Sequence, residues 1–330
     1  MSPQKFIMLV GLPASGKSTL AKKFAPSFKI FSTDEYRKHK FGDAAKQEED
    51  KGIFFQEFHN HLFAEWKKGT DIVYDATNLS FKRRRAFLRE MRHRTPEHIE
   101  YTTECHLVIC PYDQCISRNK ERNRNVPEAV MMRMLKTFQC PSYTEGWDKI
   151  VVHHTGTESL GVEVEKSRFF DQQSPHHIYN LLSHCYLTGR LAQLRYAQHL
   201  LDRFPIEDYT EALLETEKIL VPAALFHDIG KRRAQVFCDK KGNPTEEAHY
   251  YGHECIGAYL WLCDKSMYLT MELEDFLQVA ILIQNHLVPQ NLKTYNEVKE
   301  WADRRGADSL MLWCLHQADR EAHGKKEIEA

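Results

Sequence analysis

Lys5-Phe-Ile-Met-Leu-Val10 runs straight into Gly11-Leu-Pro-Ala-Ser-Gly-Lys-Ser18. The first six residues are mostly apolar and predict a buried strand. The next eight fit G-x-x-x-x-G-K-[ST], and Lys17 to Phe24 can continue as a helix. Gly11 and Gly16 let the backbone curl, so that N–H groups from Ser15 to Thr19 turn toward phosphate oxygens. The helix that follows aims its positive end at the same spot. Lys17 can reach β- and γ-phosphates, and the Ser18 hydroxyl can ligate Mg²⁺. The expected ligand is a nucleoside triphosphate.

Around this stretch, 330 residues leave room for two domains, and 42% hydrophobic residues can fill their cores. No run approaches the length that spans a bilayer. The first strand starts too early for a signal peptide, so a cytoplasmic protein is expected. Nine cysteines occur without any C-x-x-C, and Cys105, Cys110 and Cys115 are five apart, which reads as reduced thiols. The net charge of −1 conceals an asymmetry. Residues 1–150 carry 26 Lys+Arg against 19 Asp+Glu, giving +7, and the remainder carries 19 against 27, giving −8. A basic first half suits a polyanionic partner. An acidic, histidine-rich second half suits a soluble surface or a metal.

Phe28-Lys-Ile-Phe31 predicts a second strand, and Ser32-Thr33-Asp34 supplies helix-cap residues after it. In a nucleotide-binding parallel sheet the carboxyl ends of the strands face the ligand. Asp34 therefore falls where a base could take a hydroxyl proton, with simple capping as the other reading. Glu48 to Lys68 predicts a long helix whose aromatic stripe belongs to the core. Asp71 to Asp75 predicts a third strand, and Asp75 at its end can hold Mg²⁺ through water or orient an acceptor. Lys82-Arg83-Arg84-Arg85, with Arg89, Arg92 and Arg94, make the next helix strongly basic, either as a solvated face or as a phosphate contact. Cys105–Cys110 and Glu145–Val152 predict the last strands. Between them Arg118 and Arg122 lie four apart on one helix face, where a mobile segment could stabilise a transferring phosphoryl group. Pro127 opens another helix. Strands alternating with helices imply a parallel sheet with helices on both faces.

The P-loop, Ser-Thr-Asp-Glu-Tyr-Arg, Asp-Ala-Thr-Asn-Leu followed by arginines, and Arg-Asn-x-x-Arg before Val-Pro together resemble the 5′-hydroxyl polynucleotide kinase family, typified by the phage enzyme, over residues 5 to about 153. The resemblance implies an α/β P-loop kinase using ATP and Mg²⁺. It makes Asp34 the general base and has Arg37 contact the acceptor phosphate. Arg118 and Arg122 would contact the ATP phosphates, and Asp75, Thr77 and Asn78 would line the acceptor pocket. Small-molecule and aminoacyl-tRNA kinases share parts of this pattern.

Residues 155–174 read as a linker between domains at 1–154 and 175–330, with a short strand at Gly161–Val164. From His176 the pattern is helical to the end. Its chemistry lies in His184, His227-Asp228, His253, His286 and Asp319. An imidazole beside a carboxylate at the end of an apolar helix needs compensation if buried, and a divalent cation supplies it. The set resembles the HD superfamily of metal-dependent phosphohydrolases, with ligand pattern His … His-Asp … Asp. That resemblance makes His184, His227, Asp228 and Asp319 the metal ligands, with His177 as an alternative first ligand. It gives His253 and His286 to a second metal or to phosphate. Lys231 could neutralise a bound phosphate. Histidine with carboxylate favours Mn, Fe, Co, Ni or Zn.

The joint expectation is an α/β P-loop kinase plus an all-α HD-type domain, similar in content to kinase–HD fusions of bacterial RNA repair. It would be a bifunctional enzyme that heals RNA or DNA ends, phosphorylating a 5′-OH and hydrolysing a 2′,3′-cyclic or 3′/2′-phosphate, ahead of a ligase. Two rivals are a small-molecule or nucleoside kinase fused to a nucleotide phosphohydrolase, and a regulatory sensor that binds ATP and a nucleotide without catalysis.

Overall fold

The computed structural model describes residues 3–42, 51–122, 125–173, 179–201 and 214–323. Packing divides the chain into two compact units. One comprises Met1–Met131 with Pro141–Gly156, and the other Met132–Cys140 with Thr157–Ala330.

The first unit is built on β1 (Gln4–Val10), β2 (Lys29–Ser32), β3 (Ile72–Asp75), β4 (Tyr101–Ile109) and β5 (Lys149–His154). All pair in parallel, in the order β2-β3-β1-β4-β5. The connecting helices are α1 (Lys17–Phe24), α2 (Thr33–Phe41), α3 (Lys51–Trp66), α4 (Phe81–Arg94), α5 (Tyr112–Lys120) and α6 (Glu128–Lys136). The boundary between the units falls inside α6.

Alternation along β1 sends its side chains to opposite faces. Ile7 and Leu9 pack with Ala21 of α1, Val73 and the half-buried Leu20, Phe24, Phe28 and Ile30. Phe6 meets Trp66 of α3, ring centres 6.2 Å apart, and stacks on Phe87 of α4 at 5.2 Å. The aromatic stripe of α3 is core, since Phe54, Phe58, Phe63 and Trp66 are all buried. The sheet thus has helices on both faces.

Three local expectations need correction. The last strand begins at Lys149, because Tyr143–Glu145 forms a tight turn closed by a reciprocal Ser142/Glu145 cap. Residues 161–164 are not a strand. They lie in the helix α7 (Leu160–Ser167), whose Leu160, Glu163 and Ser167 are buried at helical spacing. Arg84 is neither solvated nor open to phosphate. Its side chain is fully buried and makes a bidentate pair with Glu145, at 2.7 and 2.6 Å. Removing one partner of such a pair costs about 3–5 kcal/mol.

The second unit continues through α8 (Leu181–Leu201), a wide turn at Thr216–Leu220, α9 (Val221–Phe226), α10 (Lys231–Ala234), α11 (His253–Cys263), α12 (Lys265–Thr270), α13 (Leu273–Asn285), α14 (Tyr295–Asp303) and α15 (Ser309–Ala322). Among the described residues it is helical apart from one antiparallel hairpin, β6 (Val236–Cys238) and β7 (Pro244–His249). Helix α8 packs along α15 and α9, and α11 along α13. Gln284 of α13 fixes the chain at 138–140, accepting from Cys140 N at 2.9 Å and donating to Phe138 O at 3.0 Å.

Candidate functional site

In the first unit the turn after β1 is shaped by Gly16, whose φ of 99° favours glycine. The buried Lys17 ammonium donates to Leu12 O at 2.7 Å, folding back over the loop it follows. Burial pulls Lys17 down to about 8, against the raising influence of Asp75, and Arg122 and Asp34 also act on it. Those residues therefore share one electrostatic neighbourhood. Leu9 and Ser32 stand beside Asp75 in the sheet register, so three strands end together. Ser18 Oγ donates to Asp75 Oδ2 at 2.7 Å, which joins the two residues expected at Mg²⁺. Thr19 is exposed one residue further along α1, and Ser15 Oγ is buried with no hydrogen-bond partner.

The loop after β3 is bolted to the same turn. Gly11 N donates to Thr77 O at 3.0 Å, and Asn78 Nδ2 to Leu9 O at 2.9 Å. Asp34 lies in the first turn of α2, which Ser32 caps, and its side chain is exposed. Arg37 stands 3.8 Å from it and covers the ring of Phe54. Arg118 is engaged with Cys110 Sγ at 3.1 Å and Thr155 O at 2.8 Å. Thr155 Oγ1 in turn donates to Ser15 O at 2.6 Å. Sequence reasoning missed Thr155 as a brace of the phosphate loop, because nothing marks it in the chain. Arg122 is exposed just beyond α5.

The second unit brings together residues as far apart as 184 and 319. His184, His227, Asp228 and Asp319 form one buried group, and Asp228, His253 and His286 another, each able to offer one metal a set of ligand atoms. The imidazoles are all held the same way. His184 Nδ1 lies 3.3 Å from Ala322 O, His227 Nδ1 2.7 Å from Ala224 O, His253 Nδ1 2.8 Å from Tyr250 O, and His286 Nδ1 2.8 Å from Ile283 O. A carbonyl only accepts, so each Nδ1 carries a hydrogen and each Nε2 is presented to the centre.

Two pairs of Nε2 atoms face each other there, His184 and His227 at 3.3 Å and His253 and His286 at 3.4 Å. Asp228 lies between the pairs. Its Oδ2 is 3.4 Å from His184 and 3.3 Å from His227, and its Oδ1 is 3.0 Å from His253 and 3.7 Å from His286. Asp319 Oδ1 closes the first group at 3.0 Å from His184 and 3.3 Å from His227. Gly230 permits this approach. A Cβ there would stand 2.1 Å from His253 O, at the start of α11.

Buried nitrogens aimed at one another need a proton or a cation between them. Burial lowers His184 and His227, yet Asp228 and Asp319 reverse this and raise both. Burial raises Asp228, but Lys231 and His227 hold it well below the usual carboxylate range. Burial raises Asp319, but His227 and His184 outweigh it and hold the carboxyl well below the usual range. His286 is pushed down to about 3 by burial and by His227 and His253. The donor set of imidazoles and carboxylates is one that a divalent transition metal could take.

Lys231 Nζ sits 2.6 Å from Asp228 Oδ2 and donates to Gln172 Oε1 at 2.8 Å. Gln172 is itself buried. Arg232 and Arg233 pair with the fully buried Glu163 of α7. The stretch 155–174 thus supplies groups around the cluster, which its linker-like composition does not signal. His323 adds a half-exposed ring, 3.4 Å from Asp319 Oδ1 and stacked on His184. His177 lies outside the described residues.

Residues 6–141 match the sequence model of the AAA-domain family. The first half is a kinase-like P-loop domain. Comparison with curated protein sequences finds no match. Among solved structures, the chain is similar to one of a Pnkp1/Rnl/Hen1 complex, at 25% identity over 36% of this chain and 40% of that one, with a TM-score of 0.30. It is also similar to a putative kinase from Chloroflexus aurantiacus (12% identity, 51% and 98% of the chains, TM-score 0.38) and to a fungal RNA kinase (14%, 46% and 75%, 0.34). The chain spans less than half the length of the first of these. The nine cysteines form no disulfide. No helix among the described residues is long and apolar enough to cross a membrane.

Proposed function

We propose that the chain is a bifunctional enzyme healing nucleic-acid ends, with RNA ends as the favoured substrate. The first half would move the γ-phosphate of ATP to a 5′-hydroxyl, and the second would hydrolyse a 2′,3′-cyclic phosphate or a 3′- or 2′-monophosphate. The observation that carries the reading is Asp228, whose two oxygens face two histidine pairs in the same chain as a P-loop.

In the kinase half, backbone amides of the loop from Gly11 to Thr19 and the Lys17 ammonium bind the ATP phosphates. Ser18 and Asp75 would hold Mg²⁺, which supplies neutralising charge when bound. Arg37, Asp75, Thr77 and Asn78 position the acceptor. Asp34 takes the proton as the 5′-oxygen bonds to the γ-phosphorus and the bond to the β-phosphate oxygen breaks, releasing ADP. Arg118 and Arg122 balance charge on the phosphoryl oxygens.

In the helical half, His184, His227, Asp228 and Asp319 would hold one divalent ion, and His253 and His286, with Asp228, a second ion or the phosphate. Such an ion lowers the pKa of bound water and neutralises phosphoryl oxygens. Lys231 offers its ammonium to the phosphate and exchanges it with Asp228.

The test is an RNA carrying a 5′-OH and a 2′,3′-cyclic phosphate, incubated with ATP, Mg²⁺ and Mn²⁺. Conversion of both ends is expected. If neither terminus changes while a free sugar or nucleoside is phosphorylated, the metabolic alternative replaces this reading.

A further inference from the structure

The sequence leaves the basic helix after β3 open between solvent and phosphate. Of its seven cations, Arg84 is buried against Glu145, and Arg94 is engaged with Glu90 and Asn60. Lys82, Arg83, Arg85, Arg89 and Arg92 make no ion pair among the described residues. The single acidic residue of α4, Glu90, is occupied by Arg94 and His59.

Lys82, Arg85, Arg89 and Arg92 recur at i, i+3, i+7 and i+10. They therefore form one stripe along the helix. It borders the face that buries Phe81, Arg84, Phe87, Leu88 and Met91. Lys82, Arg89 and Arg92 are exposed and Arg85 is half-buried. The stripe is roughly 15 Å long at 1.5 Å per residue.

Its placement gives the stripe a direction. The helix starts one turn beyond the loop that leaves Asp75 and carries Thr77 and Asn78. Arg84 fixes that first turn by donating to Asn78 O at 3.0 Å, and Asn78 is itself tied to β1. A row of unpaired cations therefore begins beside the expected acceptor pocket and runs away from it. In a stacked strand successive phosphates rise about 3.4 Å along the axis, so a row of this length spans several of them. Three of the four residues are arginines, whose planar fork suits phosphate oxygens.

We propose that this face of α4 is the track for the strand behind the 5′-terminal nucleotide, making the acceptor a polynucleotide and not a small molecule. The inference rests on the 5′-kinase reading above and deepens it. The track contributes affinity through phosphates alone, so it serves any base sequence.

The experiment compares kcat/KM for a 5′-OH 20-mer with that for a 3′-phosphorylated mononucleoside, in the wild type and in Lys82→Glu/Arg89→Glu/Arg92→Glu. The wild type should favour the 20-mer by at least ~10²-fold. That preference should fall steeply with salt, by about 0.7 in log–log slope per phosphate contact. The charge-reversed protein should lose most of the preference and most of the salt slope. A single Arg89→Ala should remove a fraction of both, with no charge reversal to disturb the surface. A length preference that survives all three reversals overturns the track and leaves the kinase reading standing. Equal use of both acceptors by the wild type does the same. Failure to phosphorylate any 5′-hydroxyl overturns both.

Discussion

The two candidate sites are built from opposite materials. The P-loop site is made from consecutive residues and depends on backbone: a left-handed Gly16, amides at the start of α1, and one buried ammonium folded onto Leu12 O. The histidine site takes side chains from helices or helix ends between positions 184 and 319, and uses backbone only to fix each imidazole by its Nδ1. The first holds negative charge with amide dipoles and one ammonium, which need no added ion to coexist. The second concentrates ligands that repel one another until a proton or a cation enters. Loss of one group should therefore be graded in the first site and close to absolute in the second.

The largest expected effect follows from that difference. Asp228 touches both histidine pairs, so Asp228→Ala should remove both positions together. Metal content measured after purification should fall below one ion per chain. Phosphoesterase activity should drop by more than ~10³-fold, given that disturbing a ligand's outer partner alone costs about 10–100-fold. Kinase activity should be unchanged. A metal-loaded Asp228→Ala protein with working esterase would break the contrast between the two sites.

Asp34→Ala should be milder and confined to the other half. Its carboxylate is exposed, so truncating it opens no cavity in the core. Phosphorylation should fall by roughly 10²–10³-fold, within the range of a general base, with the KM for ATP little altered. A non-catalytic sensor would show no rate to lose.

How far these sites could be read from the chain follows the same division. The P-loop and the ends of β2 and β3 are legible because their chemistry is local: Lys17 and Ser18 are adjacent, and Asp34 and Asp75 end short apolar runs. The histidine cluster is legible at His227-Asp228, where two ligand types sit side by side. The other members, taken singly, look like core histidines. Arg84 could not be told from its neighbours in Lys82–Arg85, since its partner Glu145 is 61 residues away. Gly161 and Val162 suppress helix propensity in α7, yet tertiary packing of Glu163 against Arg232 and Arg233 prevails. Composition carries no trace of such long-range pairing.

A pH profile sharpens the comparison further. Burial pulls Lys17 to about 8 from 10.5. Below about pH 8 both folded and unfolded chains carry the proton, so the fold bears the full cost of the buried ammonium. That cost fades as pH rises from about 8 to 10.5. Activity runs the other way, because ATP binding needs the cation. The kcat/KM for ATP should fall above about pH 8, approaching tenfold per unit. Lys17→Arg stays protonated and should lack that limb, whatever its absolute rate. The esterase reaction of the same preparation should show no break tied to Lys17.

The smallest effect is expected at Gln172, which touches neither a ligand nor phosphate. Its Oε1 accepts from Lys231, whose ammonium rests on Asp228, and its backbone oxygen accepts from the Tyr250 hydroxyl. Gln172→Ala removes one acceptor from Lys231, which then leans further onto Asp228 and competes with a cation for the same oxygen. Esterase kcat should fall by less than about tenfold, and the Mn²⁺ concentration for half-maximal activity should rise. Gln172→Glu keeps an acceptor at the same reach and should restore the rate. A purely structural role would instead lower thermal stability in both variants without moving the Mn²⁺ requirement. The P-loop has its own counterpart in Thr155, which braces Ser15 O and engages Arg118, so outer support is present at both sites. What separates them is that Gln172 acts on a group that competes with the cation, whereas Thr155 holds a backbone that binds whatever charge arrives.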